Sequence, residues 1–170
     1  MLRSLLLLSA ILGLFLGAGS ARALDTSGAD ILNLRLGMAP REVEDILSAQ
    51  AIDAKRWERH TRPCLIAPAS SCLSELIAPT RDGRLAIGFS PAAGTVQRID
   101  YTFKASGAGE PEMIRASVMR RYGDPSDVTD TVWCARISAV GTCPPDRPNL
   151  RFRHGSGVTV ILSLSDGSSG

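Results

Sequence analysis

Four cysteines and two histidines are the side chains of this 170-residue chain best suited to covalent or acid–base chemistry. The cysteines are Cys64, Cys72, Cys134 and Cys143. Their even count points to disulfides, with three connectivities open. Closeness in sequence favours Cys64–Cys72 and Cys134–Cys143. Each pair closes a loop of turn residues, with Pro68 and two serines in the first and Gly141 in the second. Loops this short gain roughly 2.5 kcal/mol from the lost freedom of the unfolded chain. A tetrahedral metal centre lacks support, because no CxxC or HxxxH spacing occurs. A redox pair would need similarly tight spacing. His60 and His154 could each serve a Ser–His arrangement, which is defined in space and not by order. No GxSxG elbow accompanies them, and His154 before Gly155 reads as an exposed turn histidine. Neither a phosphate-cradling G-x-x-x-x-G-K-[ST] nor a G-x-G-x-x-G is present. The expectation is no catalytic centre, no metal and no cofactor.

Two basic clusters are the remaining candidates for binding. Lys55, Arg56, Arg59, His60 and Arg62 surround Trp57, and Arg147, Arg151, Arg153 and His154 form a second set. Such clusters either attract an anionic partner or form a solvated strand face. Arg56, Trp57, Arg59, His60, Arg151 and Arg153 are the candidate partner-binding residues. If the two clusters share one sheet face, the binding reading gains.

Compartment follows from residues 1–23. Arg3 is followed by an almost wholly apolar run from Leu5 to Gly17, then by Gly19-Ser-Ala21-Arg-Ala23. That order is the pattern of a secretory signal peptide cut after Ala23, leaving a mature domain of residues 24–170. No cysteine stands at the cut to carry a lipid. The apolar run falls short of the roughly 20 residues a membrane span needs, and no later stretch could cross. Removing Arg3 and Arg22 lowers Lys+Arg from 19 to 17, against 17 Asp+Glu. A formally neutral mature protein gives no argument for nucleic acid.

The elements that must position these residues are read from periodicity. A helix begins near Pro40, where a missing N–H costs nothing, with Val43, Ile46 and Leu47 as its buried stripe. A strand spans Lys55–His60 with Trp57 inward. Leu73–Ala78 is the next strand. Asp82-Gly83 makes the turn into Leu85, Ile87 and Phe89, and Ile99, Tyr101 and Phe103 follow. Ser106–Gly109 links to a helix at Pro111, with Ile114, Val118 and Tyr122 on one face and Arg115, Arg120 and Arg121 away from it. Gly123 and Pro125 end that helix. Val132–Ala135, Leu150–His154 and Val158–Leu164 are the last strands.

The order repeats. Pro40 and Pro111 lie 71 residues apart, Cys64 and Cys134 lie 70 apart, and Cys72 and Cys143 lie 71 apart. A fixed period points to duplication, with pseudo-repeats at about 36–104 and 110–165. The expected fold class is α+β: two layers, helices packed on an antiparallel sheet, in two tandem α-β-β-β halves.

Leu36-Gly-Met-Ala-Pro-Arg-Glu-Val-Glu-Asp-Ile-Leu47 resembles the helix opening of the BamE/SmpA small outer-membrane lipoprotein family. It is also similar to the repeat unit of β-lactamase inhibitor proteins. Arg121-Tyr-Gly-Asp-Pro125 resembles the helix ending common in such exported proteins. The resemblance implies an α+β binding domain of the cell envelope, with one disulfide per repeat in the inhibitor-like case. Departures are the absent lipidation cysteine and a scarcity of aromatic residues. The function expected is an exported periplasmic or secreted, non-enzymatic interaction module for a protein or an anionic envelope component. The alternative is a small exported enzyme or ligand carrier using His60 or His154.

Overall fold

The structure, a computed structural model, describes residues 28–65, 67–104, 109–126, 131–134, 138, 142–144, 146–155 and 159–167. The leader at 1–23 lies outside the described residues, as do most of the 106–109 linker and Val158. The elements are α1 (Pro40–Ala49), β1 (Glu58–Pro63), β2 (Ser71–Pro79), β3 (Gly83–Phe89), β4 (Val96–Lys104), α2 (Glu110–Tyr122), β5 (Val132–Cys134), β6 (Asn149–His154) and β7 (Thr159–Ser165). A 3-10 turn at Ala54–Arg56 precedes β1. The seven strands form one antiparallel sheet in the order β1-β2-β3-β4-β7-β6-β5.

This overturns the α+β expectation of helices layered over two tandem α-β-β-β halves. The sheet dominates. Four strands come from the first stretch and three from the second, fused where β4 pairs β7 over seven residues from Arg98 to Lys104. The helices are short, and each buries only two residues: Val43 and Leu47 in α1, Pro111 and Val118 in α2. Alternating residues of the strands fill the core instead. The register aligns Leu76, Ile87, Ile99, Leu164, Leu150 and Trp133 in one row across six strands. All six are at most 1% exposed.

Side chains one step off this row point to the opposite face. The core cluster contains strand residues of the first face together with Val43, Leu47 and Val118 of the helices. Ile77 and Val132, buried on the other face, do not belong to it. Among the described residues, the helices therefore add side chains to one face of the sheet only.

Local chemistry sets the helix ends. The Glu42 carboxylate accepts the Ala39 N–H at 2.7 Å, while Ala39 has no side-chain oxygen to cap the helix in return. Gly123 ends α2 at φ 79°, a conformation that glycine adopts without a side-chain clash. Trp133 Nε1 donates to the Gly123 carbonyl at 2.9 Å and ties β5 to that end. Both expected disulfides are present, with Cα atoms 5.1 Å apart in Cys64–Cys72 and 5.8 Å in Cys134–Cys143. Two such bonds suit an oxidising, extracytoplasmic location. Among the described residues, no helix is long and apolar enough to cross a membrane.

Candidate binding surface

The first basic cluster divides between the two faces of β1. Trp57, only 8% exposed, joins the core. The Arg59 guanidinium sits 5.2 Å over its ring and pairs with Glu44 of α1 at 3.1 Å. Arg59 thus clasps β1 to α1 on the covered side. Arg62 Nη2 donates to the Phe89 carbonyl at 2.7 Å. Arg56 stands exposed on the 3-10 turn, whose Asp53 side chain accepts the Lys55 N–H. His60 is exposed on the open face, in register with Glu75.

The second cluster divides in the same way. Arg151 and Arg153 alternate with buried Leu150 and Phe152, so both lie on the open face. His154 lies on the covered side, 4.0 Å from Glu112 of α2 and edge-on to Phe152. Four strands separate β1 from β6, about 24 Å at the usual strand spacing. Of the six candidate residues, His60, Arg151 and Arg153 share a face, and Arg56, Trp57 and Arg59 do not join them. Neither imidazole is hydrogen-bonded to a hydroxyl or thiol among the described residues.

Cross-strand register lays out the open face in rows. One row runs Arg84, Thr102, Ile161, Arg153, and the next Ala86, Asp100, Ser163, Arg151. A third runs His60, Glu75, Gly88, Arg98, Ser165, Asn149. Arg98 lies over Gly88, where the absence of a side chain leaves it room. Its Nε is 3.0 Å from Asp100 Oδ2, though out of hydrogen-bond alignment, and its Nη2 is 3.6 Å from Glu75 Oε1. Arg98 is thus matched by two carboxylates, leaving this triplet with one formal negative charge. Arg84, Arg151 and Arg153 have no carboxylate partner among the described residues. The strand aromatics Trp133, Tyr101, Phe103 and Phe152 all belong to the covered face.

The covered side carries a hollow of about 210 Å³ between α2 and the sheet, lined by Asp30, Leu32, Tyr101, Val118, Arg121 and Tyr122 among others. Asp30 is its hub, at 8% exposure. Its Oδ2 meets Arg121 Nη2 at 2.5 Å, its Oδ1 accepts the Asn33 N–H at 3.1 Å, and its carbonyl accepts the Tyr122 hydroxyl at 2.5 Å. Burial raises the Tyr122 pKa above its ordinary value, partly offset by the Arg121 charge. These polar groups satisfy one another, so the arrangement straps residues 30–34 to the end of α2. Helical spacing alone places Arg121 away from the packed face, whereas in the fold it reaches Asp30. The Asp-x-x-Asn spacing, in which an aspartate accepts from the backbone three residues on, was the available signal.

No group of three His, Cys, Asp or Glu side chains among the described residues is arranged to hold a metal ion. No family model, curated protein or solved structure matches this chain.

Proposed function

We propose that this chain is an exported, non-enzymatic interaction module of the periplasm or extracellular space that engages a protein partner through the open face of its sheet. The carrying observation is the asymmetry of the sheet. The described helices and the strand aromatics lie on one face, while the other presents arginines, carboxylates and hydroxyls with no described helix packed on it. A mixed-charge surface favours a protein with a complementary pattern, because charges of both signs fix register and reject wrong partners. Glu58, Glu75 and Asp100 on the same face would oppose a uniformly anionic membrane or polymer. The leader-like residues 1–23 and the two disulfides support export. The BamE-like and inhibitor-like motifs support a binding role in the envelope.

A photo-crosslinking residue at Thr102, central on the open face, tests this reading in the cell of origin. The control position is Met113, 65% exposed on α2. The expected result is a reproducible adduct from position 102 and none from 113. Adducts from 113 alone, or from neither, overturn it. The N-terminal sequence of the purified protein should begin at Leu24. The enzyme alternative rests on the His154–Glu112 contact alone.

A further inference from the structure

We infer that Arg151 and Arg153, with Ser163 beside them and Arg84 across the sheet, form a carboxylate-reading subsite for an extended acidic segment of the protein partner. This inference rests on the open-face reading above. Arg151 and Arg153 are two residues apart on β6 and point to the same side, about 6.8 Å from one another along the strand. An extended peptide repeats its own side chains on one side at that same interval. Acidic residues at alternate positions would therefore meet the two guanidinium groups in step. A guanidinium suits the task, since its planar fork takes both oxygens of a carboxylate.

The surroundings favour that occupant. Arg153 Nη2 contacts Ser163 Oγ at 3.4 Å, and Ser163 is the backbone register partner of Arg151, so the hydroxyl lies between the two arginines on this face. Arg151 Nε is shut off from solvent with no acceptor, which shows the guanidinium stem packed down among neighbours. Its terminal nitrogens have no described acceptor. Among the described residues, the carboxylate on the row of Arg151 is Asp100, which Arg98 engages. Arg84 stands three strands away, about 14 Å, on the same row as Arg153, and it too has no carboxylate partner among the described residues. Three cations fall short of the basic clusters of about four to eight that hold proteins on anionic lipid. The face also offers no aromatic platform for sugar rings.

The test uses a fluorescent peptide alternating Glu and Ser, a Gln-for-Glu control, and vesicles of phosphatidylglycerol. Each is titrated at low salt against the mature protein and two variants. The Glu peptide should bind and the Gln peptide should not. The double variant Arg151→Glu/Arg153→Glu should weaken binding by about tenfold or more, as reversal of charges in a close pair does. Arg56→Glu, remote on the 3-10 turn, should leave it unchanged. An unchanged far-ultraviolet spectrum and melting temperature show that the double variant is folded. Equal binding of the Gln peptide, indifference to the double variant, or preference for the vesicles overturns the subsite. If crosslinking from position 102 persists while the peptide result fails, only the subsite falls. If both fail, the open-face reading falls with it.

Discussion

Replacing Ile99 with alanine should destabilise the whole molecule in a single step. Ile99 is fully buried on β4, between Ile87 of β3 and Leu164 of β7, at the seam where the two stretches of chain join. The change removes three carbons, about 2.4 kcal/mol at about 0.8 kcal/mol per methylene. A cavity in so tightly enclosed a row raises the cost to about 3–4 kcal/mol. For a chain of this length that is a fall of about 10 °C in melting temperature. Ile99→Val should cost about 1 kcal/mol. The assay is urea unfolding followed by fluorescence in two single-tryptophan backgrounds. Trp57 precedes the first edge strand and Trp133 lies in the last, so each reports on one end of the sheet. Coincident transitions, both shifted by Ile99→Ala, are expected. Separate transitions, or a cost below about 1 kcal/mol, would refute the view that one continuous row holds the sheet together.

Three further outcomes follow from named contacts. Tyr122 holds its proton more tightly when folded, so its stabilising contribution is complete below about pH 10 and is lost as pH rises through the raised native value. Melting temperature should fall more steeply above that pH in the wild type than in Tyr122→Phe, measured by thermal scans across the alkaline range. Trp133→Phe removes the donor to the Gly123 carbonyl and should cost about 1–2 kcal/mol, read by chemical denaturation. Glu44→Gln should change stability by no more than about 1 kcal/mol, because the Arg59 pair is substantially exposed, and added salt should shrink the difference.

The alternation of Leu85, Ile87 and Phe89, and of Val160, Leu162 and Leu164, makes β3 and β7 legible because one face of each is buried. Pro40 and Gly123 mark their helix ends through backbone chemistry that acts locally. The disulfides were legible for the same reason, since each joins residues close in the chain. What periodicity does not encode is which strand lies beside which. The pairing of β4 with β7 joins residues about sixty apart, and the expected helix-layered fold gave way to one dominant sheet. β1 shows no alternation because as an edge strand nearly all its residues are exposed. Arg151 and Arg153 were legible as candidates, but Arg84 was not, since its place on the same row depends on two intervening strands. Asp30 and Arg121 lie 91 residues apart, and only the folded chain brings them together.

The two disulfides span only 8 and 9 residues of sequence, and neither span overlaps the other. In a chain delivered across a membrane from its N-terminus, Cys64 meets Cys72 long before Cys134 emerges. Oxidation in order of arrival would give the native pairing directly. Each bond thus joins the nearest thiol in the chain, and the native pairing contains no crossed or nested link.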